Sequence, residues 1–275
     1  MSRGLLKSVT LILLLLLAVP VSRAADKLTS EEIQQLFSEA NRDYSRAVAL
    51  RSKQPDAASE LFRRAIASWR TIITRGGIEN GYLRYNMGNA YLLMNDVGRA
   101  LVNYKKAQRT IPGYPDLKRN LQIARSRTAD QIEPASGQGM AVLWSWHKDI
   151  PAKVRFTVGT ITFALMWLLL FLRVVGLLRF RITALVLIFA CIWGLCAASL
   201  VSEELDRVSR PEAVIVAREV VGRQGPGNAG YDESFNRPLH AGVEVRLLEK
   251  RAGWVRVQLP DKSTTWLPQN SVEII

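Results

Sequence analysis

The spacing of apolar residues changes character along this chain, and each character implies its own kind of structure. From 28 to 128 the spacing is helical. Ile33, Leu36, Phe37, Ala40 and Tyr44 share one helix face, and Thr29 or Ser30, with Glu32 or Ile33 following, resembles a cap before them. Gln54-Pro55-Asp56 breaks that helix, and Ala58, Phe62 and Ala65 line the next. Gly76-Gly77 ends the second helix and Gly81 opens a third. Leu117, Leu121, Ile123 and Ala124 predict a last helix covering the stack. From 156 the residues become almost continuously apolar, in two runs, 156–172 and 182–201. Past Arg210 the period shortens to two: Trp254, Arg256 and Gln258 alternate with Val255, Val257 and Leu259. Short β-rich runs follow this rule at Ala213–Ala217, Glu219–Val221, Val243–Leu248, Trp254–Leu259, Thr264–Leu267 and Val272–Ile274.

Within the helical stretch, Gly88, Tyr91, Ala100, Tyr104, Ala107 and Pro112 stand at the spacing of a tetratricopeptide repeat (TPR). Gly88, Ala100 and Ala107 are small enough for two antiparallel helices to approach closely. Tyr91 and Tyr104 fill the gaps beside them, and Pro112, which lacks an N–H, stops the second helix. The best repeat spans 81–114. Ala58, Phe62 and Ala65 match the spacing of Ala100, Tyr104 and Ala107, which makes a degenerate repeat ahead of it. Such repeats bind other proteins, mainly through the concave face of their first helices. By position, Tyr82, Tyr85, Asn89 and Leu92 are the candidate protein contacts on that face.

The two long apolar runs change the picture from a soluble to a membrane protein. The second is about 20 residues without a charge, enough to cross a bilayer as a helix. Residues 1–24 read as a secretory signal: Arg3 and Lys7 are the basic start, an apolar core runs from Leu11 to Val19, and Ser22-Arg23-Ala24 offers small residues for cleavage. The alternative is an uncleaved anchor with the same sidedness. Arg173, Arg179 and Arg181 between the two runs belong in the cytoplasm by the positive-inside rule. Both flanking halves then face outward, with Trp144, Trp146 and His147 at the headgroup level before the first span. Lys148, Lys153 and Arg155 run against this rule, being basic on the outer side.

The expected organisation is therefore a signal peptide at 1–24, a helical domain at 25–128, a linker at 129–153, a membrane hairpin at 154–201 and a β domain at 211–275. The last, with five or six short strands, fits a small barrel of SH3 type. The fold class is multidomain: an all-α TPR-like repeat, a transmembrane helical hairpin and an all-β SH3-like small barrel. Tyr231, Trp254 and Trp266 are the surface candidates of the β domain; the two tryptophans equally suit core or rim packing.

Charge and chemistry narrow the function. The net charge is +13, with +3 on 1–24, +6 on 25–139, +5 on 140–201 and −1 on 202–275. Much of the excess flanks apolar segments and no recognition motif accompanies it, so nucleic acid is not the expected partner. Gly225-Pro226-Gly227-Asn228-Ala229-Gly230 fits the dinucleotide-binding pattern, but no helical period follows to hold a pyrophosphate, and a flexible hairpin loop is expected instead. Cys191 and Cys196 lie five apart in an apolar helix, point in different directions and are not expected to bridge. His147 and His240 lie in different regions, Glu203-Glu204 reads as solvated surface, and no zinc-spaced set or nucleophile elbow occurs. No catalytic residue, metal or cofactor is expected.

Leu83-Arg84-Tyr85-Asn86-Met87-Gly88-Asn89-Ala90-Tyr91, then Gly98-Arg99-Ala100-Leu101-Val102-Asn103-Tyr104 and Asp116-Leu117-Lys118-Arg119-Asn120-Leu121, carry a resemblance. Through them, and over nearly its whole length, the chain resembles the Bat E-type proteins of bacterial aerotolerance operons. Gly253-Trp254-Val255-Arg256-Val257 and Trp266-Leu267-Pro268 are similar to bacterial SH3-like domains, although the Asp-Gly that often precedes a Gly-Trp there is absent. The resemblance implies partners: a MoxR-type AAA+ ATPase and membrane proteins with von Willebrand A domains. The expected function is an adaptor on the outer face of the bacterial inner membrane. The competing expectation is a peptidoglycan sensor acting through the β domain.

Overall fold

Thr29 sets where the first helix begins. Its hydroxyl accepts from the Glu32 amide at 3.2 Å and the Glu32 carboxylate accepts from the Thr29 amide at 2.7 Å, a reciprocal capping box. The bond to the Thr29 backbone also holds the Glu32 carboxyl below its usual range. This computed structural model describes residues 27–133, 135, 150–177, 182–227 and 230–275. The expected signal peptide, Trp144, Trp146, His147, Arg179 and Arg181 lie outside the described residues.

Five helices form the first half: α1 (Ser30–Leu50), α2 (Pro55–Thr74), α3 (Gly81–Leu93), α4 (Val97–Gln108) and α5 (Pro115–Ser126). Each start has a local cause. Pro55 and Pro115 occupy first-turn positions where no N–H is needed. The side chains of Asn80 and Asp96 accept from the Tyr82 and Arg99 amides. α1 packs on α2 and α3 on α4, and Trp69, Phe62, Tyr104 and Leu101 are fully enclosed between them. Gly88 is required by this packing: a Cβ there would stand 2.5 Å from the Tyr104 ring. Ala100 and Ala107 are completely buried and Pro112 lies beyond the end of α4. Tyr91, also buried, accepts at its hydroxyl from Arg70 on α2 at 2.8 Å.

Among the described residues two helices are long and apolar enough to cross a membrane: α6 (Ala152–Val174, 23 residues) and α7 (Thr183–Ser209, 27 residues). They pack on each other and show large apolar side chains, Phe156, Phe171 and Leu187 among them, on their outer surface. Both outrun the expected 156–172 and 182–201. α6 starts early enough to include Lys153 and Arg155, and α7 continues through Glu203, Glu204 and Asp206. The added turns carry a cross-helix lock. Arg155 is 3% exposed, pairs with Glu203, and donates to Ser199 Oγ at 3.1 Å and the Ile150 carbonyl at 3.2 Å. Cys191 and Cys196 are unbridged.

Every expected β run contains a strand: β1 (Glu212–Ile215), β2 (Glu219–Val220), β4 (Glu244–Arg251), β5 (Trp254–Gln258), β6 (Thr264–Pro268) and β7 (Val272–Ile274). A further strand, β3 (Leu239–His240), pairs with β2. The small barrel is corrected by the structure. The other five strands make an antiparallel sheet in the order β6-β5-β4-β1-β7, and it does not close. The reason is the single 3-10 turn Gln269–Ser271 between β6 and β7. It sends β7 onto β1, pairing Ala213 with Ile274 and Ile215 with Val272, so consecutive strands end at opposite edges.

The two soluble halves share a core. Val214 of β1 and the terminal Ile275 are buried in the same apolar cluster as Phe62, Trp69 and Leu101. α4 meets β1 closely because of Gly98, whose added Cβ would lie 2.7 Å from the Ile215 carbonyl oxygen. Around this contact Lys105 reaches Glu212 at 2.7 Å and Glu244 at 3.2 Å, Lys106 reaches Glu273 at 3.1 Å, and Arg125 grips Glu244 through two bonds of 2.6 and 3.0 Å. The expected linker starts as part of this body too. Asp130 accepts from the His240 amide at 2.6 Å and faces its ring at 3.0 Å, and Ala135 donates to the Pro260 carbonyl at 3.2 Å.

The Gly98 contact is backbone against backbone, so it cannot relax by a rotamer change. Gly98→Ala is expected to lower stability by about 1–3 kcal/mol and to speed amide exchange at Val214 and Ile215. An unchanged Tm with unchanged exchange would contradict the shared core.

Candidate functional site

The four residues expected on the concave face of the best repeat have different fates. Tyr82, the second residue of α3, is 52% exposed. Leu92 is buried at 8% and belongs to the core, so it offers no free surface. Tyr85 and Asn89 are half-buried, and their polar atoms are engaged inside the chain. Asn120 of α5 donates to the Tyr85 hydroxyl at 3.1 Å and to Asn89 Oδ1 at 2.9 Å, while the Tyr104 hydroxyl donates to the same Asn89 oxygen at 2.8 Å. Four tyrosines form a chain of ring contacts here: Tyr85 meets Tyr114 edge-on at 5.2 Å and Tyr104 at 6.0 Å, and Tyr82 meets Tyr114 at 5.4 Å. Burial raises the Tyr104 hydroxyl well above the usual phenol range, so it stays protonated and remains a donor.

The helix after the repeat therefore takes up much of the face that position in the repeat assigns to a partner. Asn120 and Tyr114 were missed by sequence reasoning because the repeat pattern ends at Pro112. The signal available was the four-residue spacing of Leu117 and Leu121, which marks α5 as a helix packed on the stack, with Asn120 beside its buried face. What stays outward is the start of α3 with Tyr82, together with Phe37 of α1 and Ile78 before α3, each more than a third exposed.

The β-domain candidates also separate. Trp266 is buried at 7%; its amide and carbonyl exchange bonds of 2.8 and 2.9 Å with Arg223, and Arg251 lies over its ring at 5.8 Å. Trp254 is half-buried where β5 begins. Tyr231 is 45% exposed and is the candidate left most open. No helix follows Gly230, and residues 231–238 are irregular, as expected for a loop and not for a dinucleotide site.

The strongest electrostatic feature lies between the halves. Burial pushes the Glu244 carboxyl up, but Arg125 and Lys105 outweigh it and hold the group below the usual carboxylate range. Among the described residues no group of three or more His, Cys, Asp or Glu side chains is placed to hold a metal. Comparison with protein-family models, curated proteins and solved structures finds no match.

Because the folded Glu244 titrates below its unfolded value, its contribution is complete above the ordinary carboxylate pKa of about 4.3. It disappears as pH falls through the lower, folded value. Glu244→Gln is expected to cost about 1–2 kcal/mol at neutral pH, with the gap between variant and parent closing on acidification. Thermal unfolding of both chains across this pH range reads the gap. A gap that does not change with pH would remove Glu244 from the joint.

Proposed function

We propose that the chain is a membrane-anchored adaptor: a TPR-like module and an open five-stranded β module held on one side of a two-span hairpin, where they engage another protein. The observation that carries this reading is the joint itself. α6 begins at Ala152 and α7 ends at Ser209, so both soluble halves leave from the same end of the apolar pair. There they are packed into one body by Gly98, Glu244 and the Asp130–His240 contact. The described surface offers exposed aromatic and apolar side chains, Tyr82, Phe37 and Ile78 among them, which suit protein contact.

Orientation follows from charge. Arg173 at the far end of α6, with Arg179 and Arg181 in the connecting loop, favours the cytoplasm for the loop and the outer face of a bacterial inner membrane for both modules. Of the three basic residues on the outer side, Lys148, Lys153 and Arg155, the last is paired with Glu203. The partner class this reading favours is the one implied by the resemblance to Bat E-type proteins, membrane proteins with von Willebrand A domains.

The test is a photo-crosslinker placed at Tyr82 and, separately, at Tyr231 in growing cells, both exposed positions. The expected result is a discrete protein adduct from Tyr82 and none from Tyr231. A glycan adduct from Tyr231 with nothing from Tyr82 would replace the adaptor by a peptidoglycan-binding protein.

A further inference from the structure

A cavity of about 200 Å³ opens where the hairpin meets both soluble halves. Five basic and three acidic side chains line it. Two of the basic ones are already satisfied: Arg155 is held by Glu203, and Lys105 by Glu212 and Glu244. Arg109 after α4, Arg210 after α7 and Arg246 of β4 form no ion pair among the described residues. Against these three guanidiniums stands one lining carboxylate without an ion pair, Asp206. Three separate parts of the fold thus bring like charges together around one space, at a cost that an anion would offset.

A second groove, of about 230 Å³, lies along the two apolar helices between Phe156, Phe163, Trp193 and Leu200. Arg155 lines both spaces. A cationic chamber and an apolar channel therefore meet at one side chain. The chamber sits where the spans give way to charged sequence, the depth of lipid phosphates in a bilayer. A free phosphate would use the chamber alone. An amphiphile with an anionic head and an acyl tail uses both.

We propose that this junction binds one anionic phospholipid, its phosphate among Arg109, Arg210 and Arg246 and one acyl chain in the groove beside Phe163 and Trp193. The proposal rests on reading α6 and α7 as membrane spans. Bound there, the lipid touches the helical half, the hairpin and the sheet at once, and so sets how the outer body stands on the membrane.

The test uses the full chain in mild detergent, with phosphatidylglycerol, phosphatidylcholine or inorganic phosphate added, and native mass spectrometry as the readout. Two variants are compared: Arg109→Ala with Arg246→Ala, both exposed positions, and Ala197→Trp, which fills the groove. One phosphatidylglycerol per chain is expected, held more tightly than phosphatidylcholine. The double variant is expected to weaken it about 30-fold, each arginine near an anionic surface being worth roughly a factor of five, and Ala197→Trp to weaken it as well. Equal retention of both lipids, or no loss in the double variant, overturns the site. Displacement by millimolar phosphate without any effect of Ala197→Trp assigns the chamber to a free anion and overturns the lipid. Alkaline extraction of cell membranes decides the underlying reading independently. Release of the chain would sink the membrane spans, whereas retention without a phosphatidylglycerol adduct sinks this proposal alone.

Discussion

One carboxylate, Glu244, holds this molecule's two soluble halves in register. It projects from β4 and takes two bonds from Arg125 at the end of the repeat stack and one from Lys105 in the last turn of α4. Neither half is complete without the joint. The helical core uses Val214 and Ile275 from the sheet as part of its own packing. The sheet, being open, has two edges that need cover. α4 lies along β7, with Lys106 on Glu273. At the other edge Arg223 bonds Trp266 of β6 in both directions. With its edges blunted in this way the sheet does not have to close on itself, and the barrel expected from strand number alone is unnecessary.

What was legible in the sequence was local. Gly88 and Tyr104 lie within one helix pair, and their meeting follows from helical geometry whatever surrounds it. Thr29, Pro55 and the strand at Trp254–Gln258 are of the same kind. What was not legible depends on where distant elements dock. Nothing in the spacing of Tyr85 and Asn89 says that Asn120, more than thirty residues on, will bond both of them. Leu92 looked like a surface position because repeat numbering assumes a face open to partners, and here that face is partly closed by the chain itself. β3 escaped notice because two residues cannot display a period, and its pairing with β2 spans a long loop. The stretch after α5 has the composition of a linker, yet Asp130 finds His240 across 110 positions.

The hairpin shows the same division between local and distant causes. Its apolar runs were plain from composition, but the basic residues before the first run contradicted the charge rule that oriented it. Arg155, one of those residues, is locally paired. A charge at the edge of an apolar span is costly unless it is paired, and one helix over, Glu203 and Ser199 supply the partners. Reading Glu203-Glu204 as solvated surface missed this, because the acidic run and the basic residue are separated by both spans and become neighbours only when the hairpin folds back. Counting charges along a chain ignores such pairs.

The joint also bears on what kind of binder this body can be. A repeat with two free faces can adapt to its partner, but ordering loose helices on contact reduces affinity. Here β1 and β7 occupy one side of α4, and α5 occupies the aromatic centre of α3, so both are ordered before any partner arrives. In the adaptor reading this pre-organisation narrows the contact to the rim around Tyr82, where α3 begins and Phe37 and Ile78 stay outward. It also makes that rim mechanically continuous with the sheet, through Gly98, and with the spans, through Arg210 and Glu212, neighbours across a single residue. In the same reading a load applied at Tyr82 passes to the spans through packed elements and a single short connection, and not through a slack linker.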